Sequence, residues 1–266
     1  TAATPLTGGA NATAITGEDY QAFLDRIEPY SFNTLGCVST DKTVKNLLAA
    51  FTRRMRDEQG VKFQTVLFQP EAPDYEGIIG VENAVTDEDC PQSAAVYWTT
   101  GAQAGCAVNR SVQNMRYTGE FSIDVSFTQA QLTAALQTGK FVFHRVGDEI
   151  RVLDDINTLT TFTEAKGEDF SANQTIRVLD QIGNDVAVLF GTKYLGQIPN
   201  DNAGRISFWS DVVAIHEQLL ALRAIENFSS DDIKVGLGSS KKSVVCTDAV
   251  SPVNAMSKLY MTVTVN

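Results

Sequence analysis

Hydrophobic residues in the first half of the chain recur with the helical period in some segments and run continuously in others. The clearest helical stripe follows Thr40 or Asp41, either of which can act as the N-cap. Its apolar positions, spaced i, i+3, i+4, i+7 and i+11, are Val44, Leu47, Leu48, Phe51 and Met55. Further helices are predicted over 20–28, 93–104 and 129–137, and buried strands over 32–39, 63–68 and 77–81. Because helices and strands alternate with short links, we expect an α/β fold with a mostly parallel sheet and flanking helices.

The pattern changes near residue 140. Strands over 140–144 and 149–153, joined at Gly147-Asp148, predict a hairpin. Two long amphipathic helices follow, over 172–195 and 204–225, and then strand-like runs over 233–237, 243–247 and 259–265. We therefore predict an α/β domain over 1–145 and a smaller α+β C-terminal domain over 146–266.

The last strand-like run alternates between two faces. One face has Leu259, Met261, Val263 and Val265, and the other has Tyr260, Thr262 and Thr264. With Lys258, these residues form a predicted strand whose N–H and C=O groups need partners. The partner is either the chain's own run at 233–237 or 243–247, or the sheet of a neighbouring molecule. The residues before it suit a connector, and we predict a hinge at Val250, Ser251, Pro252 and Asn254.

Composition narrows the possible functions. The 266 residues carry a net charge of −11, and 43% of them are hydrophobic, so a packed core is expected. An acidic surface repels phosphates, which argues against nucleic acid as a partner. No apolar run approaches the roughly 20 residues of a membrane-spanning helix, which argues against a membrane as a partner.

The sequence predicts no catalytic, metal-binding or cofactor-binding site. His216 shares a helical stripe with Trp209, Val213 and Leu220, which is typical of a core-edge residue, and His144 is predicted at a strand surface. Neither histidine has metal-ligand spacing, and the GxSxG, GxGxxG and GxxxxGK[ST] motifs are absent. The acidic pairs lack EF-hand spacing. The four cysteines form no CxxC pair and are predicted to be buried free thiols: Cys37, Cys90, Cys106 and Cys246.

The order of several short motifs resembles the central region of contractile phage tail sheath proteins, especially those of Gram-positive phages and PBSX-like particles. In the first half the motifs are Leu6-Thr-Gly-Gly, Glu18-Asp-Tyr-Gln-Ala-Phe-Leu, Phe32-Asn-Thr-Leu-Gly, Ala50-Phe-Thr-Arg-Arg-Met-Arg-Asp-Glu and Glu76-Gly-Ile-Ile-Gly-Val-Glu-Asn. In the second half they are Gly147-Asp-Glu-Ile-Arg-Val-Leu-Asp-Asp-Ile-Asn-Thr-Leu-Thr, Asn200-Asp-Asn-Ala-Gly-Arg-Ile and Ala255-Met-Ser-Lys-Leu-Tyr-Met-Thr-Val-Thr-Val. Each motif is weak alone, and the resemblance depends on their shared order and spacing.

The resemblance implies a non-enzymatic subunit that polymerises with itself as hexameric rings in a helical sheath and contracts. It implies a tail tube protein, baseplate and tail terminator proteins as partners, and no cofactor. It also implies a place in a virion tail or phage-tail-like particle assembled in the bacterial host cytoplasm. The C-terminal domain would then lie near the tube and the α/β domain further out. The alternatives are an α/β enzyme, such as a hydrolase or nucleotide-binding protein, and a monomeric interaction module using the acidic surface.

Strand exchange between neighbours is a further implication of the resemblance. In the family, an N-terminal arm and a C-terminal arm from neighbouring subunits add strands to one subunit's sheet. Residues 258–265 correspond to the C-terminal arm. A substantial segment usually precedes the Leu-Thr-Gly-Gly motif, which here begins at Leu6. The resemblance therefore predicts that the N-terminal arm is missing from this chain.

Overall fold

Helices and strands alternate through the first half of the chain in a computed structural model, which describes residues 15–264. These elements are α1 (Gly17–Ile27), β1 (Thr34–Cys37), α2 (Lys42–Asp57), β2 (Gln64–Phe68), β3 (Ile78–Val81), α3 (Ala95–Gly105), α4 (Gln129–Gln137) and β4 (Lys140–Phe141). The remaining elements are β5 (Phe143–Val146), β6 (Glu149–Val152), α5 (Asn173–Leu189), α6 (Asn202–Ala221), β7 (Ile225–Glu226), β8 (Ile233–Leu237), β9 (Val244–Asp248) and β10 (Ser251–Pro252). The Leu6-Thr-Gly-Gly motif and Val265 lie outside the described residues.

The central sheet is parallel, as predicted. Its strand order is β1-β2-β3-β4, and each neighbouring pair runs in the same direction. Strands β2 and β3 are buried on both faces, which explains why they appear in the sequence as continuous apolar runs without alternation.

Helices cover both faces of this sheet, because alternate strand residues point to opposite sides. On one face, Val66 and Ile79 pack with Val96 of α3. On the other face, Leu67 packs with the buried stripe of α2. The stripe residues Val44, Leu48, Phe51 and Met55 are all at most 5% exposed, and each such burial contributes about 1.5–3 kcal/mol.

The chain changes direction at two points where local chemistry dictates the backbone. The side chain of Asp41 accepts a hydrogen bond from the Val44 amide at 3.0 Å and begins α2. Gly139 follows α4 with a φ of +68°, which favours glycine, and an added Cβ would lie 3.0 Å from the backbone of Thr158. This turn directs the chain into β4.

The region around residue 145 differs from the prediction in one respect. The predicted strand over 140–144 is divided: β4 joins the parallel sheet, and β5 forms the hairpin with β6. Phe143 and Val152 of this hairpin are fully buried in the same cluster as Val66 and Ile79. The hairpin thus spans residue 145 while packing on the first core, and the boundary at 145 stays a prediction.

The second half is built on a pair of helices and two short β-ribbons. Helix α5 ends in a π-helical turn over Phe190–Tyr194, and Tyr194 then packs against Phe208 of α6. The antiparallel pairs are β7 with β10 and β8 with β9. The predicted strands at 233–237 and 243–247 therefore form the β8–β9 hairpin, whereas residues 255–264 have no regular secondary structure.

Candidate functional site

The residues that most often carry chemistry are used structurally here. His216 is fully buried on α6 and stacks on Phe228, with ring centroids 5.0 Å apart. Its Nδ1 lies 2.9 Å from the Val212 carbonyl oxygen and its Nε2 lies 2.9 Å from a carboxylate oxygen of Asp248. Both nitrogens therefore face acceptors, an arrangement that suits the doubly protonated ring. Burial lowers the pKa of His216, but these hydrogen bonds outweigh it, and the net shift is upward.

The other candidate groups are dispersed. His144 lies in β5 opposite Arg151, and burial lowers its pKa. Residues 15–264 contain no group of three potential metal ligands and no helix long and apolar enough to cross a membrane. Cys37, Cys90, Cys106 and Cys246 are all free. The prediction of buried thiols is confirmed for Cys37, whereas Cys90 and Cys106 are only partly buried. It is wrong for Cys246, which is exposed because only the first residue of β9 is partly covered.

The predicted hinge residues contact the body of the chain, and their role as a hinge stays a prediction. Ser251 and Pro252 form β10 against β7, and Val250 packs on the α5–α6 core. The Gln174 side chain donates to the Val253 carbonyl at 2.9 Å and accepts from the Ala255 amide at 2.9 Å. Asn254 bonds to Thr175 at 3.0 Å. These bonds hold the backbone at the start of α5 as far as Ala255.

Beyond Ala255 the chain follows the surface as far as Ser257 and Lys258, which line an open cavity with Asp154, and the residues after Lys258 are exposed. The described part of the predicted strand has large apolar side chains that lie in solvent: Leu259, Tyr260, Met261 and Val263 are 73–89% exposed. No strand partner is present for residues 256–264, which we call the tail. The two intramolecular partners considered for it, β8 and β9, pair with each other. The tail thus combines an alternating apolar pattern with unpaired backbone groups.

The β8–β9 hairpin has a backbone edge that can accept such a segment. Two hydrogen bonds show which residue pairs of the hairpin are hydrogen-bonded to each other. The Ala249 amide donates to the Asp232 carbonyl at 3.2 Å, and the Gly238 amide donates to the Ser243 carbonyl at 2.9 Å. Because bonded and non-bonded pairs alternate in an antiparallel ladder, every second residue of β9 directs its backbone groups away from β8. These outward-directed residues are Val244, Cys246 and Asp248.

The outer edge of β8 is less accessible. The same alternation directs the backbone groups of Ile233, Val235 and Leu237 outward. The Trp209 indole donates to the Ile233 carbonyl at 3.0 Å and so occupies the start of this edge. Among the described residues, β9 pairs with β8 alone. The β9 edge is therefore the more open of the two.

One face of this hairpin packs on helix α6. Ile233, Val235 and Val244 share a core with Phe208 and Val212. Beside Val244 lies an open cavity of about 100 Å³. Its lining combines polar side chains of Asn200, Arg205 and Lys242 with an apolar and aromatic part that includes Phe190, Tyr194, Leu195, Ile198 and Phe208. The helix-facing side of the hairpin thus continues into a space that an apolar side chain can enter.

A buried polar junction joins helix α5 to the first core. The two terminal guanidinium nitrogens of Arg56, Nη1 and Nη2, donate to the Asp180 carboxylate at 2.6 and 2.8 Å. Nearby, Asn184 exchanges two hydrogen bonds with the backbone of Lys62, at 3.2 and 2.9 Å. Sequence reasoning missed this junction; the charged residues inside the amphipathic patterns of α2 and α5 were the only signal. The junction fixes the helix that carries the tail anchor to the α/β sheet.

Two family models match consecutive parts of the chain. The first, described as phage tail sheath protein central domain, matches residues 13–158, and the second, described as phage tail sheath C-terminal domain, matches residues 165–266. The phage-like element PBSX protein XkdK of Bacillus subtilis is 33% identical over 276 residues, covering 98% of this chain and 58% of its own length.

Solved structures show the same fold. The crystal structure of the sheath tail protein from Desulfitobacterium hafniense has a TM-score of 0.82 and 36% identity, over 95% of this chain and 62% of that one. The helical sheath of the anti-feeding prophage in its contracted state has a TM-score of 0.70 at 12% identity, over 92% of this chain and 73% of that one. That last likeness concerns the fold alone. The chain spans about three fifths of the relatives it matches at 33% and 36% identity.

Proposed function

We propose that this chain, which belongs to the phage tail sheath family, is a structural subunit of a contractile tail sheath. Copies polymerise as helical hexameric layers around a tail tube, and contraction of the sheath drives the tube into a target cell. The observation that carries the proposal is the exposed, unpaired tail, in a fold shared with sheath tail proteins. The role is mechanical and needs no catalytic group.

Subunits are linked by strand exchange in this proposal. The tail of one copy, from Lys258 onward, adds a strand to the β8–β9 hairpin of another. Backbone hydrogen bonds supply the strength of the link, and the alternating side chains set its register. Leu259, Met261 and Val263 lose the water contact that they have in the isolated chain, which gives the exchange a hydrophobic driving force.

The flexible point lies immediately after the anchor. Because Val250, Ser251, Pro252 and Asn254 are held on β7 and α5, bending there would break the anchoring contacts. Met256 and Ser257 have no such bonds among the described contacts, and Met256 is fully exposed. We therefore place the pivot between neighbouring subunits at these two residues.

The finer partners follow from the same proposal. The second half of the chain, with the α5–α6 pair, lies towards a tail tube protein, and the α/β half lies further out. Baseplate and tail terminator proteins bound the sheath at its ends. The particle is a virion tail or a phage-tail-like particle, and its subunits assemble in the cytoplasm of the bacterial host. The match to the PBSX protein XkdK supports a particle of this class.

Truncation after Ala255 tests the proposal. The native chain at high concentration is expected to form rings, tubes or striated sheaths visible by negative-stain microscopy and as fast-sedimenting species. The truncated chain is expected to stay monomeric with an unchanged circular dichroism spectrum, because the tail makes no strand contact with its own body. Equal polymer formation by native and truncated chains would refute the tail link.

Two triple variants serve as a matched pair. Serine at Leu259, Met261 and Val263 removes the apolar face, whereas serine at Tyr260, Thr262 and Thr264 changes the other face by the same number of positions. Assembly is expected to be lost in the first variant and kept in the second. Equal loss in both would show that the apolar alternation does not direct pairing.

A further inference from the structure

We propose that the contact between His216 and Asp248 is a pH-sensitive switch. A doubly protonated ring holds the end of β9 on helix α6, and loss of one ring proton releases Asp248 and the residues that lead to β10. The inference concerns a single chain and does not depend on the proposed function.

The His216 ring contacts the chain on both sides of the β7–β10 pair. It lies on α6 and stacks on Phe228, two residues after β7, with ring centroids 5.0 Å apart. On the other side, its Nε2 lies 2.9 Å from a carboxylate oxygen of Asp248, the last residue of β9. Strand β10 begins three residues later, at Ser251, and pairs with β7. The ring is therefore placed where one contact can control how the segment between β9 and β10 is held.

The two ring nitrogens both face acceptors, and a neutral imidazole cannot serve both. Nδ1 lies 2.9 Å from the Val212 carbonyl oxygen, four residues earlier in α6, while Nε2 faces Asp248. A neutral ring has one N–H, so one nitrogen would present a lone pair to an oxygen. The Val212 carbonyl is fixed in the helix backbone, whereas the side chain of Asp248 is 24% exposed and can turn towards water. Loss of one proton is therefore expected to break the contact with Asp248 and to leave the contact with Val212.

Asp248 is the charged group that faces the ring, and it favours the protonated form. Burial of the ring disfavours the charge, but the hydrogen bonds to Asp248 and Val212 and the charge of Asp248 outweigh it, so the pKa of His216 is raised. From the segment after β7 the ring meets the apolar side chain of Phe228. Residues 15–264 provide no other hydrogen bond or ion pair to the ring.

Three other titratable groups lie near this pair in the chain. Glu217 follows the ring on α6 and Glu226 lies on β7, and both are exposed. Cys246 lies two residues before Asp248 on β9. Desolvation of its sulfur and the charge of Asp248 raise the pKa of this thiol above the ordinary value of 9.0, so the thiol is neutral near neutral pH. The ring and the Asp248 carboxylate are therefore the pair that responds to pH.

Few other contacts hold the end of β9. Residues 245–247 are exposed, and the Ala249 amide donates to the Asp232 carbonyl at 3.2 Å. The next apolar packing is that of Val250 on the α5–α6 core. Segments with few buried contacts open at a low free-energy cost. Once Asp248 leaves the ring, we expect this segment to open locally while the rest of the fold persists.

Hydrogen exchange of backbone amides, followed by NMR from about pH 6 to about pH 9, tests the switch. The full chain is used at a concentration below polymer formation, and each rate is divided by the intrinsic rate at the same pH. Protection of the Thr247 and Ala249 amides is expected to fall about tenfold as the His216 ring loses its proton, the loss expected for one hydrogen bond to a charged group. Amides of β2, in the first core, are expected to keep their protection.

Two single variants separate this contact from other effects of pH. His144→Gln removes the other of the chain's two histidines and is expected to keep the response, because His144 lies in β5. Asp248→Asn is expected to abolish the response, because an amide can donate to Nε2 of a neutral ring as well as accept from a protonated one. A response that persists in Asp248→Asn would contradict the proposal.

The ring itself gives the decisive readout, through its nitrogen chemical shifts. We expect the neutral ring of His216 to carry its proton on Nδ1. A neutral ring with the proton on Nε2 would keep the bond to Asp248 and would overturn the inference. A ring already neutral at about pH 6, or unchanged protection of Thr247 and Ala249, would overturn it as well. Each of these results leaves the proposed function untouched.

Discussion

The junction between Arg56 and Asp180 allows a sharp test of how the two halves are held together. The proposed change is Asp180→Asn, which keeps the size of the side chain and removes its charge. The two side chains are only 5% and 13% exposed, so solvent screens their attraction weakly. Arg56 would keep its positive charge in a buried site without its carboxylate, and such a loss costs about 3–5 kcal/mol. We therefore expect the free energy of unfolding to fall by this amount.

Urea unfolding followed by circular dichroism measures the change. A loss of this size corresponds to a decrease in Tm of roughly 6–20 °C for a chain of this length. The paired substitution Arg56→Met with Asp180→Leu is the control, because it removes both charges and fills the space with apolar atoms. It leaves the Phe63 carbonyl, which accepts from Arg56 at 2.5 Å, without this donor, so a cost of about 1–3 kcal/mol remains.

The reasoning depends on the order of these two variants. The single substitution must destabilise the chain more than the double substitution does. A single variant within about 1 kcal/mol of the native chain would show that the ion pair is not held in a low-dielectric site. A double variant as unstable as the single one would show that packing, and not the orphaned charge, dominates this junction.

Further predictions concern local features of the fold. The pKa of His216 is raised in the folded chain, so protonation of this side chain stabilises the fold. This stabilisation is complete below the unfolded-state pKa of 6.5 and is lost as the pH rises through the folded-state pKa. Asp248→Asn should flatten this pH dependence of the unfolding free energy. Gly139→Ala should cost about 1–3 kcal/mol in denaturant unfolding, because the new Cβ meets the Thr158 backbone at a positive φ, and an unchanged midpoint would contradict this account. Asp41→Ala should cost about 1 kcal/mol through the lost N-cap, measured in the same way, while Asp41→Ser should restore most of it.

Local signals in the sequence determined much of the fold. Helix α4 begins and ends where Thr128 and Gly139 predict. Both signals are local, because the capping box and the left-handed turn each depend only on residues close together in the sequence. The parallel sheet follows from alternation of helices and strands. The periodicity over 172–195, by contrast, continues through the π-helical turn at Phe190–Tyr194 and gives no sign of it.

Local sequence signals do not predict contacts between residues that are far apart in the chain. Arg56 and Asp180 are separated by 124 positions, and each fits an ordinary amphipathic helix on its own. The tail shows a different limit. Its alternation at Leu259, Met261 and Val263 marks the capacity to pair, but pairing needs a second strand, and a pattern in one segment does not specify which strand that is. The hinge at Pro252 stays a prediction, and composition does not show the contacts that Gln174 and β7 make with the backbone there.

The anchor at Ala255 has a mechanical consequence. Only Met256 and Ser257 separate it from Lys258, and three steps of extended backbone span at most about 10 Å. If the strand from Lys258 onward is paired with another copy, the connection is a short tether with almost no slack. Neighbouring copies can then rotate relative to one another. They cannot separate by more than this length unless the paired strand dissociates or the residues up to Ala255 detach from α5. A large change in the shape of the assembly must therefore consist of rotations of the copies, while the distance between two linked copies stays nearly constant.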